Sequence, residues 1–122
     1  MLLELRLSEI VPGMTGATIE CVHAAAGSGL KSGARLLDLS IDLSSAFAQE
    51  CPPISFFRVI LREPAVLRRI DAAPGQYREL GEVIALFTPT ADDPVDSPAD
   101  RSVRIATAGI MHHADMWTGS HR

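Results

Sequence analysis

The chain has 122 residues, of which 47% are hydrophobic and 21% charged, proportions that fit one compact globular domain. The net charge of −4 and the scattered arginines argue against an electrostatic nucleic-acid binder, because phosphate recognition needs a clustered basic face. No apolar run approaches the roughly 18 residues of a membrane-spanning helix, and charges interrupt the N-terminal leucines, which argues against a signal peptide. We therefore predict a cytoplasmic protein with reduced cysteines.

Four segments before the C-terminal third have the composition and alternation of β-strands. They are residues 2–7, 17–23, 36–41 and 55–62. In the second of them, the alternation places Ala17, Ile19 and Cys21 together on the expected buried face. The fourth is expected to be a core strand, and it would form a dimer seam if it lay at a sheet edge.

Residues 17–39 and 65–87 form an internal repeat. The copies share two turn glycines, which are Gly27 and Gly33 in the first copy and Gly75 and Gly81 in the second. Their common spacing is informative because glycine marks backbone positions that need a positive φ. One copy, two strands joined by a tight turn, cannot bury its own apolar face. We therefore predict an all-β fold in which two copies, related by a pseudo-twofold axis, face each other as two sheets.

Motifs in both copies carry a family resemblance. In the first half they are Leu7-Ser8-Glu9-Ile10, Gly13, Gly16-Ala17-Thr18-Ile19, Ala26-Gly27, Leu30-Lys31-Ser32-Gly33, Leu36, Asp38 and Asp42. In the second half they are Val66 to Phe87 with Gly75, Gly81 and Ile84. Together these motifs resemble a lipoyl/biotinyl-attachment domain. The resemblance implies an internally duplicated barrel-sandwich hybrid over residues 1–88, followed by a C-terminal extension.

The attachment lysine of that family is missing from this chain. In the family it follows an aspartate at a hairpin tip, but here Asp42 is followed by Leu43, so Leu43 stands where the attachment lysine would be. The only lysine, Lys31, lies in the first glycine turn and is expected to be an exposed turn residue. Cys21 stands where the family often has tryptophan. We therefore expect no lipoate, no biotin and no other cofactor.

The stretch between the two copies, residues 40–53, is longer than is typical of the family, and we expect either an enlarged hairpin or a loop that has replaced the carrier tip. Within it, Phe47 is a candidate partner contact, unless it folds back on the sandwich. Cys51, beside two prolines, is either a reactive thiol or merely an available one, and the neighbouring Glu50 disfavours the reactive form.

The C-terminal third differs in composition. Residues 89–100 are rich in proline and aspartate and carry no basic residue, which predicts a flexible or extended linker. Residues 101–122 follow as a strand, around 103–110, and a tail that contains the only tryptophan. Met116 and Trp117 are candidate anchors for a partner protein or a second subunit, and packing within the chain or disorder is the alternative.

The histidines of the tail are weak candidates for a metal site. His112 and His113, with Asp115 and His121, offer donors for a divalent ion. Adjacent histidines seldom ligate one ion together, and this spacing matches no zinc pattern. We therefore expect no metal there.

Residue spacing reveals no catalytic set, and Gly27-Ser28-Gly29 lacks the strand and helix that flank a phosphate-binding loop. We predict a non-catalytic lipoyl-like interaction or assembly module that binds a protein partner, or a second copy, through its tail. Two alternatives remain. One is an accessory or carrier subunit of an acyl- or carboxyl-transfer enzyme complex, and the other is a small-ligand or metal-binding protein that uses the 43–53 loop and the tail.

Overall fold

The computed structural model describes residues 1–42 and 54–110, and all regular structure in these ranges is β-strand. The strands are β1 (Leu3–Arg6), β2 (Gly16–Val22), β3 (Gly29–Leu30), β4 (Arg35–Asp42), β5 (Ile54–Leu61), β6 (Ala65–Ile70), β7 (Tyr77–Glu79), β8 (Val83–Thr88), β9 (Arg101–Ser102) and β10 (Ile105–Ile110). Within the same ranges, no helix has the length and apolarity that crossing a membrane requires.

The strands form two five-stranded sheets, which confirms the predicted all-β fold. The first sheet has the order β3-β6-β8-β1-β9, and the second has the order β10-β5-β4-β2-β7. The pairs are antiparallel except for β1 with β9, which run parallel. One apolar core fills the space between the sheets, with Leu3, Leu67 and Phe87 contributed by the first and Ile19 and Leu39 by the second. The two sheets remain separate, so the architecture is a sandwich.

The internal repeat extends beyond the region detected by sequence. Strands β1–β4 form one copy and β5–β8 the other, and replacing each strand by its counterpart converts the order of one sheet into that of its partner. The first and third strands of each copy pair with the fourth and second strands of the other copy, so β1 pairs with β8 and β5 with β4. Likewise, β3 pairs with β6, and β7 pairs with β2. Neither copy can therefore complete a sheet alone.

Matched hydrogen bonds at the glycine turns hold this exchange. The Gly27 N–H donates to the Leu67 carbonyl at 2.7 Å, and the Gly75 N–H donates to the Ile19 carbonyl at the same distance. Both glycines have a positive φ, 94° and 92° respectively. The turn conformation that only glycine adopts easily thus aims one N–H of each copy at the other copy.

The predicted strands are confirmed, and one predicted orientation is wrong. Ala17 and Ile19 are buried as expected, but Cys21 is exposed. The cause is a β-bulge between Ile19 and Cys21, where the register with β4 shifts by one residue. An extra residue in a strand turns the following side chains to the opposite face. The β5 strand lies between β4 and β10, so it is not a sheet edge.

The segment that follows the second copy is attached to both sheets. Residues 89–100, predicted as a linker, contact the sandwich through Asp93, whose carbonyl accepts from Arg68, and through Asp100, which exchanges two hydrogen bonds with Leu2. The chain then forms β9 in the first sheet and crosses to β10 in the second through Val103, whose side chain is buried. Residues 101–110 thus complete both sheets of their own chain.

A glutamate in the β5–β6 turn holds the segment that crosses from β9 to β10. Both oxygens of Glu63 accept hydrogen bonds from the Arg101 guanidinium at 2.8 Å, and one oxygen also accepts from the Arg104 N–H at 2.8 Å. Hydrogen bonds from Arg101 are the main reason that the pKa of Glu63 falls from 4.5 to about 2, with a further contribution from the Arg104 N–H. The carboxylate is therefore held in its charged form.

Because the turns at Gly27 and Gly75 have the same conformation, the same substitution should lower stability by a similar amount at both positions. Gly27→Ala and Gly75→Ala should each lower the free energy of unfolding by about 1–2 kcal/mol, because the backbone conformation disfavours a side chain. A Cβ at either position would meet nothing within 4 Å, so steric clashes do not add to this cost. Urea unfolding measures both effects. Gly29→Ala, also free of contacts and without a positive φ, is the control and should change stability by less than about 0.5 kcal/mol. An equal loss in the control would contradict the explanation.

The contacts of Glu63 predict that replacing this residue lowers stability by an amount that depends on pH. Glu63→Gln should lower stability by about 1–3 kcal/mol at pH 7, because Arg101 and the Arg104 N–H lose a charged acceptor. A lowered folded-state pKa gives stability that is fully present above the ordinary value of 4.5 and disappears as the pH falls through about 2. The difference between wild type and variant in urea unfolding should therefore shrink over this range. Exposed Glu79→Gln is the control, and a difference that did not change with pH would refute this account.

Candidate functional site

Most of the residues singled out from sequence lie outside the described ranges. These are Leu43, Phe47, Cys51, His112, His113, Asp115, Met116, Trp117 and His121. Lys31 is described, and its side chain is exposed in the turn between β3 and β4, as predicted. The candidate site therefore has to be built from other residues.

The solvent-facing side of the second sheet carries a polar group that spacing did not reveal. Cys21 on β2, Asp38 on β4 and Arg58 on β5 are consecutive cross-strand partners, and His23 follows directly after the end of β2. We call Cys21, His23 and Asp38, with Arg58 beside them, the Cys–His–Asp cluster. The bulge in β2 creates it, because the bulge turns Cys21 out of the core.

The imidazole of His23 lies between the other two members. Its Nε2 is 3.0 Å from Oδ2 of Asp38, and its Nδ1 is 3.9 Å from Sγ of Cys21. Arg58 donates to both oxygens of Asp38, from Nε at 2.9 Å and from Nη2 at 3.2 Å. The Asp38 side chain is 15% exposed and that of His23 is 23% exposed. The cluster is thus ordered by hydrogen bonds and still open to solvent.

Electrostatics keep the Asp38 carboxylate charged. Its burial alone would raise its pKa, but hydrogen bonds from Arg58 and His23 outweigh this effect and lower the pKa below the ordinary aspartate value. The same contact raises the pKa of Arg58. A fixed anion therefore faces His23 and orients the ring.

The repeat supplies an internal comparison for these positions. Counterparts in the first sheet are Arg69 for Cys21, Asp71 for His23, Leu86 for Asp38 and Glu4 for Arg58, because their register is the same. Arg69 and Asp71 form an exposed ion pair at 3.0 Å, and Leu86 interrupts the polar row. The same backbone thus forms without a thiol, an imidazole or a central carboxylate. The fold does not require the Cys–His–Asp cluster.

The cluster shares its functional groups with nucleophilic catalytic sites. A thiol, an imidazole and a carboxylate in this order are the groups of a nucleophilic triad, but such sites also need a pocket and donors for a developing oxyanion. Among the described residues, one cavity of about 20 Å³ lies between the sheets, and one of about 360 Å³ is bordered by Asp42 and Ile54. The cluster residues line neither of these two cavities. The cluster does have the donors for binding an ion.

A second surface feature is the edge of the same sheet. Among the strands of residues 1–42 and 54–110, β10 is the outermost one of this sheet; it is six residues long and has no charge or proline. The Arg62 N–H donates to the Arg104 carbonyl, and hydrogen-bonded pairs alternate along an antiparallel ladder. Backbone groups of Ile105, Thr107 and Gly109 therefore point away from β5, towards the open side of the strand.

Sequence reasoning missed the cluster for identifiable reasons. The short Cys21-x-His23 spacing does place two side chains on one face of a strand, but the strand alternation assigned Cys21 to the core. Alignment with the second copy contained the missing signal, since it matches Cys21 and His23 with the charged residues Arg69 and Asp71. Charged side chains at both positions indicate a solvent-facing surface.

Comparison of this chain with protein-family models, with curated proteins and with solved structures gives no significant match. What the molecule does must therefore be argued from the geometry of the Cys–His–Asp cluster and of the β10 edge.

Proposed function

We propose that the chain is a non-catalytic assembly module, built on a lipoyl-like scaffold, that joins a second copy of itself through the open edge of β10. The observation that supports this proposal is that the edge lacks the features that usually prevent association. Proteins normally protect sheet edges with very short strands, charges, prolines or bulges. Strand β10 has none of these features. In the second sheet, pairing of β10 with its counterpart would give a continuous ten-stranded sheet around a twofold axis.

The other sheet edges support the choice of β10. Strands β3, β7 and β9 are two or three residues long and offer few backbone groups to a partner. Strand β10 offers the outward groups of three residues and small side chains, among them Ala106, Ala108 and Gly109, which allow close approach. Backbone hydrogen bonding along an exposed edge is a recurrent mode of protein association.

The scaffold supports a role in assembly instead of carriage. A carrier of lipoate or biotin needs an ε-amine at the hairpin tip, and the chain has Leu43 after Asp42. The sole amine side chain, Lys31, lies in the β3–β4 turn, and the corresponding turn of the other copy, at the end of β7, has Glu79 instead. We place the module in the cytosol, where Cys21 stays a free thiol.

Blocking the edge should prevent association. Wild type at about 100 µM should have twice the mass of the monomer in size-exclusion chromatography with light scattering. Thr107→Pro should be monomeric, because proline removes an outward N–H without removing a hydrogen bond to β5. Thr107→Lys should also weaken the dimer by placing a charge at the open edge.

Thr107→Ala is the matched control, because it retains the N–H, and it should stay dimeric. Circular dichroism and urea unfolding establish that each variant is folded. A monomeric wild type, or dimers of undiminished stability in both Thr107→Pro and Thr107→Lys, would rule out assembly through β10.

Whether the chain carries lipoate or biotin can be tested separately. Expressed with active lipoate and biotin ligases, the full chain should show the unmodified intact mass, because Lys31 lies in a β3–β4 turn and not at a hairpin tip. A natural lipoylated domain expressed in parallel controls for ligase activity. An adduct that Lys31→Arg abolishes would overturn the non-carrier proposal and favour a carrier subunit.

A further inference from the structure

We propose that Cys21, His23 and Asp38 bind one divalent transition-metal ion of the Zn²⁺ type on the solvent-facing side of the second sheet. Its ligands are residues other than those of the β10 edge and other than the histidines of the C-terminal tail. Three observations support the proposed site: the types of the three ligands, their proximity, and the comparison between the two copies.

The donor set selects the class of ion. A thiolate, an imidazole and a carboxylate are the three ligand types that Zn²⁺ accepts in proteins, and the thiolate disfavours Mg²⁺ and Ca²⁺, which prefer oxygen. Three protein ligands leave a fourth tetrahedral position for water or for a group from a partner. On binding, the Cys21 thiol gives its proton to solvent, and the ion takes the place of that proton.

The donors are close enough for one ion. One ligand atom from each residue lies within 4.8 Å of those from the other two. Around tetrahedral Zn²⁺, with bonds of about 2.3 Å to sulfur and about 2.0 Å to nitrogen, these two atoms lie roughly 3.5 Å apart. The observed separation between Sγ of Cys21 and Nδ1 of His23 is 3.9 Å. Because Nδ1 of His23 faces Cys21 and Nε2 faces Asp38, binding requires the imidazole to turn until one nitrogen faces both other ligands.

Arg58 gives the site an outer support. Its Nε contacts Oδ1 of Asp38 at 2.9 Å, on the oxygen other than the one nearest His23. It can keep that contact while Oδ2 gives up its contacts with Nη2 of Arg58 and Nε2 of His23 and binds the ion instead. Hydrogen-bonded ligands of this kind are typical of metal centres. The positive charge of Arg58 beside the site weakens the binding of a cation, so the ion should exchange with solvent.

A structural ion pair does not explain the whole cluster. Arg58 alone neutralises Asp38, and Cys21 and His23 add two soft donors that such a pair does not need. Their counterparts, Arg69 and Asp71, show that the fold accepts an ordinary ion pair at these positions. The donors are thus found where the fold leaves the choice of residue free.

Titration of the full-length reduced protein with Co²⁺, a spectroscopic substitute for Zn²⁺, tests the site. Absorption spectra should show thiolate-to-cobalt charge transfer and the visible bands of a tetrahedral ion, saturating at one equivalent. Cys21→Ser should abolish the charge-transfer band. His23→Gln and Asp38→Asn should each weaken binding at least about 10-fold. Competition with Zn²⁺ should bleach the wild-type spectrum.

Three variants separate this site from other donors. Cys51→Ser and the double variant His112→Gln/His113→Gln should bind Co²⁺ as wild type does, and so should Asp71→Asn, the matched change at the position equivalent to His23. If Asp38→Asn failed to fold, exposed Cys21→Ser would still decide the question. A spectrum without the charge-transfer band, or one retained in Cys21→Ser and lost in Cys51→Ser, would overturn the proposal.

Discussion

The exchange of two strands by each copy is the constraint on which the rest of the structure depends. Strands β1 and β3 pair with β8 and β6 of the second copy, and β5 and β7 pair with β4 and β2 of the first. The Gly27 and Gly75 N–H groups reach across between the copies. Each sheet therefore contains strands of both copies, and the aliphatic core lies between two sheets that neither copy can build alone.

The two copies are alike in the core and differ on the solvent-facing surface. The buried positions are apolar in both copies, as Ile19 and Leu67 illustrate, because both sheets face the same core. The solvent-facing row is not repeated: Asp38 lies in the middle of one row, and Leu86 lies in the middle of the other. The first sheet ends in two-residue strands, whereas the second ends in β10. Both candidate features, the edge and the metal-binding cluster, belong to the second sheet.

The fold was predictable from sequence to the extent that local rules determine it. Two glycines per copy marked the turns, and alternation located the strands. The β2 bulge was not predictable, because nothing local signals that Glu20 is the extra residue, and Cys21 was therefore assigned to the wrong face. The pairing of Asp38 with Arg58 depends on a register set by the whole sheet. Strand β10 was expected, but its place beside β5 follows from a crossing that the proline-rich segment before it concealed.

The strand exchange also bears on how such a chain folds. The two halves are related as the subunits of a domain-swapped homodimer are, each lending two strands to the other. During synthesis, the first half must therefore wait for β6 before β3 has a partner, so the sandwich closes only once most of both copies has been made.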